Sequence, residues 1–316
     1  MSTCLMCDSP GSVVSGQISV QQINNAYKAS YATVVNRLFP IDADVVDLNV
    51  CGSCGLRWYS PLATGDEPFY ESLQKNSWYY QDDKPEYEFA KLHISEGSTV
   101  LEVGCGKGAF SGFLQKNIRY RGLEFNQAAV EKALAAGLDV EAASLSKEAT
   151  ERQEFYDVVC HFQVLEHVSD PKRFLSECTK ALSPGGKMII AVPSEDSFLS
   201  LVENGWLNMP PHHLTRWTDE ALTSALTNVG LDIKEIWHEP VASFHAEWYS
   251  RVMINAGVKR LVGSAIGLEA DGLWSKISYR VSNTPIIRDI FFRLGEKGFP
   301  FSRRGHTVCV VALKQS

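Results

Sequence analysis

The chain has 316 residues, 45% hydrophobic and 21% charged, with a net charge of −7, a composition that suits one large or two modest globular domains. The acidic balance argues against a free-standing nucleic-acid-binding role, and no uncharged apolar run is long enough to span a bilayer. The N-terminus lacks the basic region and apolar stretch of a signal peptide, so the expected compartment is the cytoplasm, where cysteines serve as metal ligands or free thiols rather than disulfides.

Two Cys-x-x-Cys knuckles open the chain, Cys4-Leu-Met-Cys7 and Cys51-Gly-Ser-Cys54. Four thiolates at such spacing can hold one tetrahedral Zn(II), and because they leave no open position for a catalytic water the site would be structural. Two local disulfides or one redox pair are the other readings. Between the knuckles, Ile23, Tyr27, Tyr31 and Val34/Val35 share a face, which predicts a helix within 23–39. Residues 1–60 are thus read as a zinc-binding domain. After the second knuckle come Trp58-Tyr59 and then, over 61–95, an aromatic-rich connector with Phe69-Tyr70, Trp78-Tyr79-Tyr80 and a lead-in helix near 86–92. Most of these rings would pack one module on the next.

From residue 96 the pattern alternates strand and helix. Thr99 to Val103 is short, apolar and partly β-branched, and Gly104, Gly106 and Gly108 follow before a helical stretch at about 108–116. Glycines there let a ligand approach the backbone, and the N–H groups at a helix start favour an anionic group. Strand 120–124, helix 127–136 with Gly137 as its cap, strand 140–143, strand 157–160, helix 171–182 and strand 187–192 complete the run. Such alternation implies a parallel sheet covered by helices, with ligands at the carboxyl ends of its strands. On the glycines alone the turn is either a tight strand–helix connection or a dinucleotide-type site, since Gly104, Gly106 and Ala109 also fit G-x-G-x-x-A with Glu124 placed to hold a ribose.

Four stretches, in order, decide between these. Val100-Leu-Glu-Val-Gly-Cys-Gly-Lys-Gly108, Glu124 after the second strand, Tyr156-Asp-Val-Val-Cys-His-Phe-Gln-Val-Leu-Glu-His-Val168, and Leu182-Ser-Pro-Gly-Gly-Lys-Met-Ile-Ile-Ala-Val-Pro193 resemble the motifs of class I S-adenosylmethionine (SAM)-dependent methyltransferases. The resemblance implies a Rossmann-like α/β fold with a seven-stranded, mostly parallel sheet over 96–316. It implies SAM as cofactor, held by Glu102, Gly104, Cys105 and Gly106 of the first motif, Glu124 and Phe125 after the second strand, and His161, Phe162 and Gln163 at the fourth. Where the family often has an acid or amide for the adenine, this chain has Ser144, so adenine recognition is expected from the backbone around Ser144 and Leu145. Glu166-His167 recurs in the family without a uniform role and reads equally well as tying down a helix start.

The N-terminal cysteines extend the likeness to sugar-nucleotide C-methyltransferases with a zinc-binding domain, in which a tyrosine from the connector reaches cofactor or substrate; Tyr79 or Tyr80 is the counterpart. Pro210-Pro-His-His-Leu-Thr-Arg-Trp-Thr218 resembles their His-Glu-His-Tyr-Ser-Tyr-Phe-type segment. That match sets His213 on the proposed base and His212 on the glutamate before it, although either histidine could simply hydrogen-bond its loop. Imidazole suits removal of an acceptor proton near neutral pH. Departures are the missing glutamate, the absent second α/β lobe, and an apolar and basic insert over about 240–304, between a sixth strand at 231–237 and a last, antiparallel strand at 305–313. Helices of that insert would cover the active site, form a subunit contact, or rest peripherally on a membrane.

The expected function is therefore methyl transfer to a small-molecule acceptor, of sugar or nucleotide-sugar type. The other readings are an rRNA or tRNA methyltransferase with a zinc module, a non-catalytic SAM-binding scaffold, and an NAD-dependent oxidoreductase. The first of these lacks a basic stripe in residues 1–60 and an Asn-Pro-Pro-Tyr-type motif after the fourth strand.

Overall fold

The computed structural model describes residues 3–76, 79, 81–202, 205, 207–262, 284–286, 290, 293 and 304–315. Tyr80 and most of the 240–304 insert lie outside the described residues. Two sheets organise the rest.

The larger sheet has seven strands: β4 (Thr99–Val103), β5 (Arg119–Leu123), β6 (Val140–Glu141), β7 (Tyr156–Phe162), β8 (Leu182–Pro193), β10 (Leu231–His238) and β11 (Thr307–Lys314). Their order is β10-β11-β8-β7-β4-β5-β6. Strands β4 to β8 run parallel, and β11 inserts antiparallel between β8 and β10. This is the doubly wound, mostly parallel sheet expected from the β-then-α alternation. The chain leaves β4 towards β5 on one side and returns to β7 on the other, so the direction of strand order reverses between β4 and β7. A crevice opens at the carboxyl ends there. All five β4 residues are buried, as required of a strand covered on both faces.

The helices follow their cap signals. α4 (Gln127–Ala135) starts at Asn126, whose side chain accepts from Ala129 N–H, and α6 (Pro171–Ala181) and α7 (Asp219–Asn228) start at Asp170 and Thr218 in the same way. Two predicted helices are shorter. The stretch at 108–116 forms only a 3-10 turn, Ala109–Phe113, entered through Gly108 at φ +79°. The helix expected within 23–39 is α1 (Val20–Tyr31), opened by a Ser19–Gln22 capping box and stopped by Ala32 in the left-handed region.

The smaller sheet is antiparallel, in the order β1 (Ser12–Ser19), β2 (Val45–Cys51), β3 (Arg57–Ser60) and β9 (Thr215–Arg216). Its fourth strand comes from the far side of the sequence, directly after His212-His213. Trp58 pairs with Thr215 and Arg57 with Arg216, and Tyr59 N–H donates to Leu214 O at 3.0 Å. The buried Cys4, Cys51, Cys54, Leu56 and Trp58 also share one apolar cluster with Leu101, Val159 and Trp217. The N-terminal residues are thereby joined by sheet and core to the catalytic part of the chain.

Candidate active site and cysteine cluster

One wall of the crevice is the turn after β4. Gly104 has φ +72°, and a Cβ there would lie 2.5 Å from Val164 Cγ2, so only glycine fits. The N–H groups of Gly104 and Cys105 both donate to Leu123 O, at 2.8 and 3.1 Å, which ties the turn to the end of β5. At that end Glu124 Oε2 accepts from Gly106 N–H and Oε1 from Asn126 N–H, each at 2.8 Å. A carboxylate has about four lone-pair positions, so Glu124 is fixed in place and can still accept from a diol. Phe125 beside it is 80% exposed. Across the crevice, Gln163 follows β7 in the left-handed region (φ +58°), a conformation that costs a non-glycine residue free energy and recurs at functional sites. Its amide donates to Glu86 Oε1 (3.2 Å) and Thr307 Oγ1 (3.3 Å).

The opposite end is a pocket of imidazoles. The N–H groups of His212 and His213 both donate to Met209 O at 3.2 Å, which brings the two rings into a stack with centroids 4.6 Å apart. His167, from the 3-10 turn Leu165–His167 after β7, meets both rings edge-on at 4.5 and 4.9 Å. Burial drives all three imidazoles below the usual histidine value, His167 to about 4. Glu166 is 1% exposed, and burial raises its carboxyl to about 8. Tyr79 OH is 3.5 Å from His212 Nε2. One cavity of about 1160 Å³ runs from Gly104, Gly106 and Glu124 past Phe162 and Gln163 to Tyr79, His212 and His213.

Some predicted contacts are elsewhere. Glu102 is buried behind the turn, accepts from Tyr120 OH at 2.5 Å, and does not line the cavity. Ser144 caps α5 (Leu145–Glu151) through Lys147 N–H, and neither Ser144 nor Leu145 is in the wall. His161 is fully buried against Phe174, both ring nitrogens without a hydrogen bond. Conversely, Tyr70, Asn126 and Asn208 line the cavity and were not foreseen. Asn126 had a signal, an N-cap position before α4; Asn208 had none.

The four knuckle cysteines converge on a point. Cys4 Sγ is 3.5 Å from Cys54 Sγ and Cys7 Sγ 3.6 Å from Cys51 Sγ, and all four sulfurs lie within 4.8 Å of one another. A tetrahedral site with Zn–S of about 2.3 Å spaces its sulfurs about 3.8 Å apart, so the donor set fits that ion. The Cys54 thiol, with nearby backbone N–H groups, pulls Cys4 down to about 5.

Fold and crevice together define a doubly wound α/β protein with a ligand-sized cavity at the carboxyl ends of its strands. Residues 76–236, half of the chain, match the family described as a methyltransferase domain. A probable S-adenosylmethionine-dependent methyltransferase of Mycolicibacterium smegmatis is 28% identical over 209 residues, 64% of this chain and 79% of that protein. A ubiquinone biosynthesis O-methyltransferase of Pseudomonas entomophila is 26% identical over 199 residues, 53% of this chain and 82% of its own length. The crystal structure of a SAM-dependent methyltransferase from Archaeoglobus fulgidus superposes with a TM-score of 0.51 at 17% identity, covering 78% of this chain and all of that one; it supports the fold. The chain belongs to this family: it is a SAM-dependent methyltransferase.

Proposed function

We propose that the enzyme carries a methyl group from SAM, bound at the Gly104–Glu124 end of the cavity, to a small-molecule acceptor bound at the histidine end. The observation that carries this reading is the continuity of a single cavity between a glycine turn with a fixed acid and a buried imidazole pocket. Bound SAM supplies an electrophilic methyl on a sulfonium. The chain's own part is alignment and proton removal. Glu124 holds the ribose diol, the Gly104–Gly106 backbone approaches the amino-acid portion, and the exposed Phe125 ring offers the adenine a stacking face. His213, whose Nδ1 faces Asn208 Oδ1 at 3.1 Å, keeps Nε2 towards the acceptor space, and removal of the acceptor proton depends on it and on the stacked His212.

A sugar or nucleotide-sugar acceptor follows from the motif resemblance. A phenolic hydroxyl is the second reading, favoured by the name of the ubiquinone-pathway relatives and by Tyr70, Tyr79, Phe244 and Trp248 along the wall. Cys4, Cys7, Cys51 and Cys54 would hold one structural Zn(II). Isothermal titration with S-adenosylhomocysteine (SAH) and metal analysis of the same sample test the reading. Binding that is lost in Glu124→Ala, with about one zinc on the cysteines, is expected. Folded protein that does not bind SAH would overturn it.

A further inference from the structure

The imidazole pocket contains an electrostatic anomaly. Both carboxylate oxygens of Glu166 are buried without a hydrogen-bond partner, in a place where an uncompensated charge is strongly disfavoured. Nearest to Glu166 Oε1 are two imidazole nitrogens, His167 Nε2 at 3.7 Å and His213 Nε2 at 3.9 Å. Ring nitrogens of His167, His212 and His213, one from each, lie within 4.8 Å of one another.

The other nitrogen of each ring faces an oxygen. His167 Nδ1 is 2.6 Å from His212 O, His212 Nδ1 is 3.0 Å from Leu207 O, and His213 Nδ1 is 3.1 Å from Asn208 Oδ1. Each of these Nδ1–H groups therefore donates outward, and the lone pair of each ring is left on Nε2. This is the arrangement that orients metal-ligating histidines, with a carbonyl or amide fixing the tautomer from behind. Donor atoms about 2.1 Å from a shared ion sit roughly 3 to 4.2 Å apart, and the His167–Glu166 and His213–Glu166 separations fall in that range. His212 Nε2, 3.5 Å from Tyr79 OH, stands at the edge of the set as a third imidazole.

We propose that Glu166, His167 and His213, with His212 beside them, form a second metal site, distinct from the cysteine cluster, for a divalent first-row transition ion. Two imidazoles and a carboxylate on one side suit such an ion better than Mg(II) or Ca(II), which prefer all-oxygen shells. Because the three groups line the cavity, the remaining positions face the acceptor, and an acceptor hydroxyl oxygen completes the shell. The inference rests on the methyl-transfer reading of the cavity and deepens it: the ion held by His213 makes the bound acceptor hydroxyl more acidic, and its proton passes to Nε2 of His212, whose Nδ1–H is committed to Leu207 O.

The test is a cobalt(II) titration of the full chain with the cysteine cluster filled by zinc, followed by visible absorption, with SAH titrated into the same samples. One further cobalt per chain is expected, giving d–d bands without thiolate charge transfer. His167→Gln and Glu166→Gln should abolish those bands, and Asn208→Ala, which loosens His213 from behind, should weaken cobalt binding about 10- to 100-fold. Retained SAH binding shows that each variant has folded. Overturning results are no further cobalt bound and no d–d bands, a spectrum carrying only thiolate bands, or histidine-type bands that persist in His167→Gln and Glu166→Gln. Since the cobalt spectrum reports the metal site and the SAH titration the donor site, failure of one is not mistaken for failure of the other.

Discussion

The two ends of the cavity are built differently. The end proposed for the methyl donor comes from one run of sequence, β4 to the residue after β7, and each of its groups is set by the backbone of a strand–helix turn: Gly104 by its φ, Glu124 by two N–H donors, Gln163 by its place after β7. The acceptor end is assembled from three distant pieces, the Leu165–His167 turn, the loop 208–214 and the connector around Tyr70 and Tyr79. Its support is the N-terminal module, helix α1 and the smaller sheet. Tyr27 OH donates to Met209 O at 3.0 Å, Tyr59 OH to Asn208 O at 3.3 Å, and β9 completes the smaller sheet immediately after His213. The difference teaches that disturbing the N-terminal module should damage the acceptor end and spare the donor end.

The largest effect is expected from removing the cluster that closes that module. On the proposed zinc reading, Cys51→Ser leaves three of the four thiolates, Cys4, Cys7 and Cys54, and should lower stability by about 4 kcal/mol or more. Hydrogen exchange at 208–216 should rise while protection of β4 and β7 persists. A variant with unchanged urea denaturation and unchanged exchange in the loop would break the comparison.

Next comes the ion pair beneath the histidine loop. Arg216 Nε is 2.7 Å from Glu195 Oε1, both side chains 2% exposed. Arg216→Met leaves a buried carboxylate without that cation and should cost about 3–5 kcal/mol. Adding Glu195→Gln to the same chain should restore most of it, measured by chemical denaturation, because the buried charge, then paired only with Arg57 at 3.6 Å among the described residues, is gone. No recovery in the double variant would mean that packing of the arginine stem, rather than charge, holds β9.

How much of this the sequence disclosed divides along the same line. The donor end was legible because its chemistry is local: an apolar strand, a glycine turn and an acid after the next strand fall within 26 residues, 99 to 124, and the switch point between β4 and β7 follows from the alternation. The acceptor end was legible only in part. His212-His213 was singled out, but Glu166-His167 read equally well as a helix tie, because only the fold brings residues 45 positions apart into ring contact. The pairing of β3 with β9 had no sequence signal, since a two-residue strand carries no periodicity. Glu102 and His161 lie off the cavity wall for one reason. Alternation along a strand sends neighbouring side chains to opposite faces, and nothing local told which face opened on the cavity.

Glu102 offers a test confined to the donor end. Burial raises its carboxyl from 4.5 to about 8, so the folded state holds the proton more tightly than the unfolded chain. The native protein should therefore lose stability as pH rises from about 4.5 to about 8, by at most about 1.4 kcal/mol per pH unit. Glu102→Gln, which can still accept from Tyr120 OH, removes that dependence. It should match the native protein below pH 4.5, gain on it through the window, and hold a constant advantage above pH 8. Parallel stability curves across the whole range would mean that Glu102 is ionised without penalty.

The smallest effect separates the two ends most cleanly. Gly104→Ala introduces two faults at once: a Cβ 2.5 Å from Val164 Cγ2 and a residue with a side chain at φ +72°. The left-handed conformation alone costs about 1–2 kcal/mol, and the clash adds to it. SAH affinity should fall by about tenfold or more, with no change at the imidazole pocket, read as cobalt binding. Val164→Ala in the same chain removes the atom that is struck and should recover the steric part, leaving the conformational part in place. If Gly104→Ala weakened cobalt and SAH binding equally, the turn and the histidine loop would be one mechanical unit, and the independence of the two ends would fail.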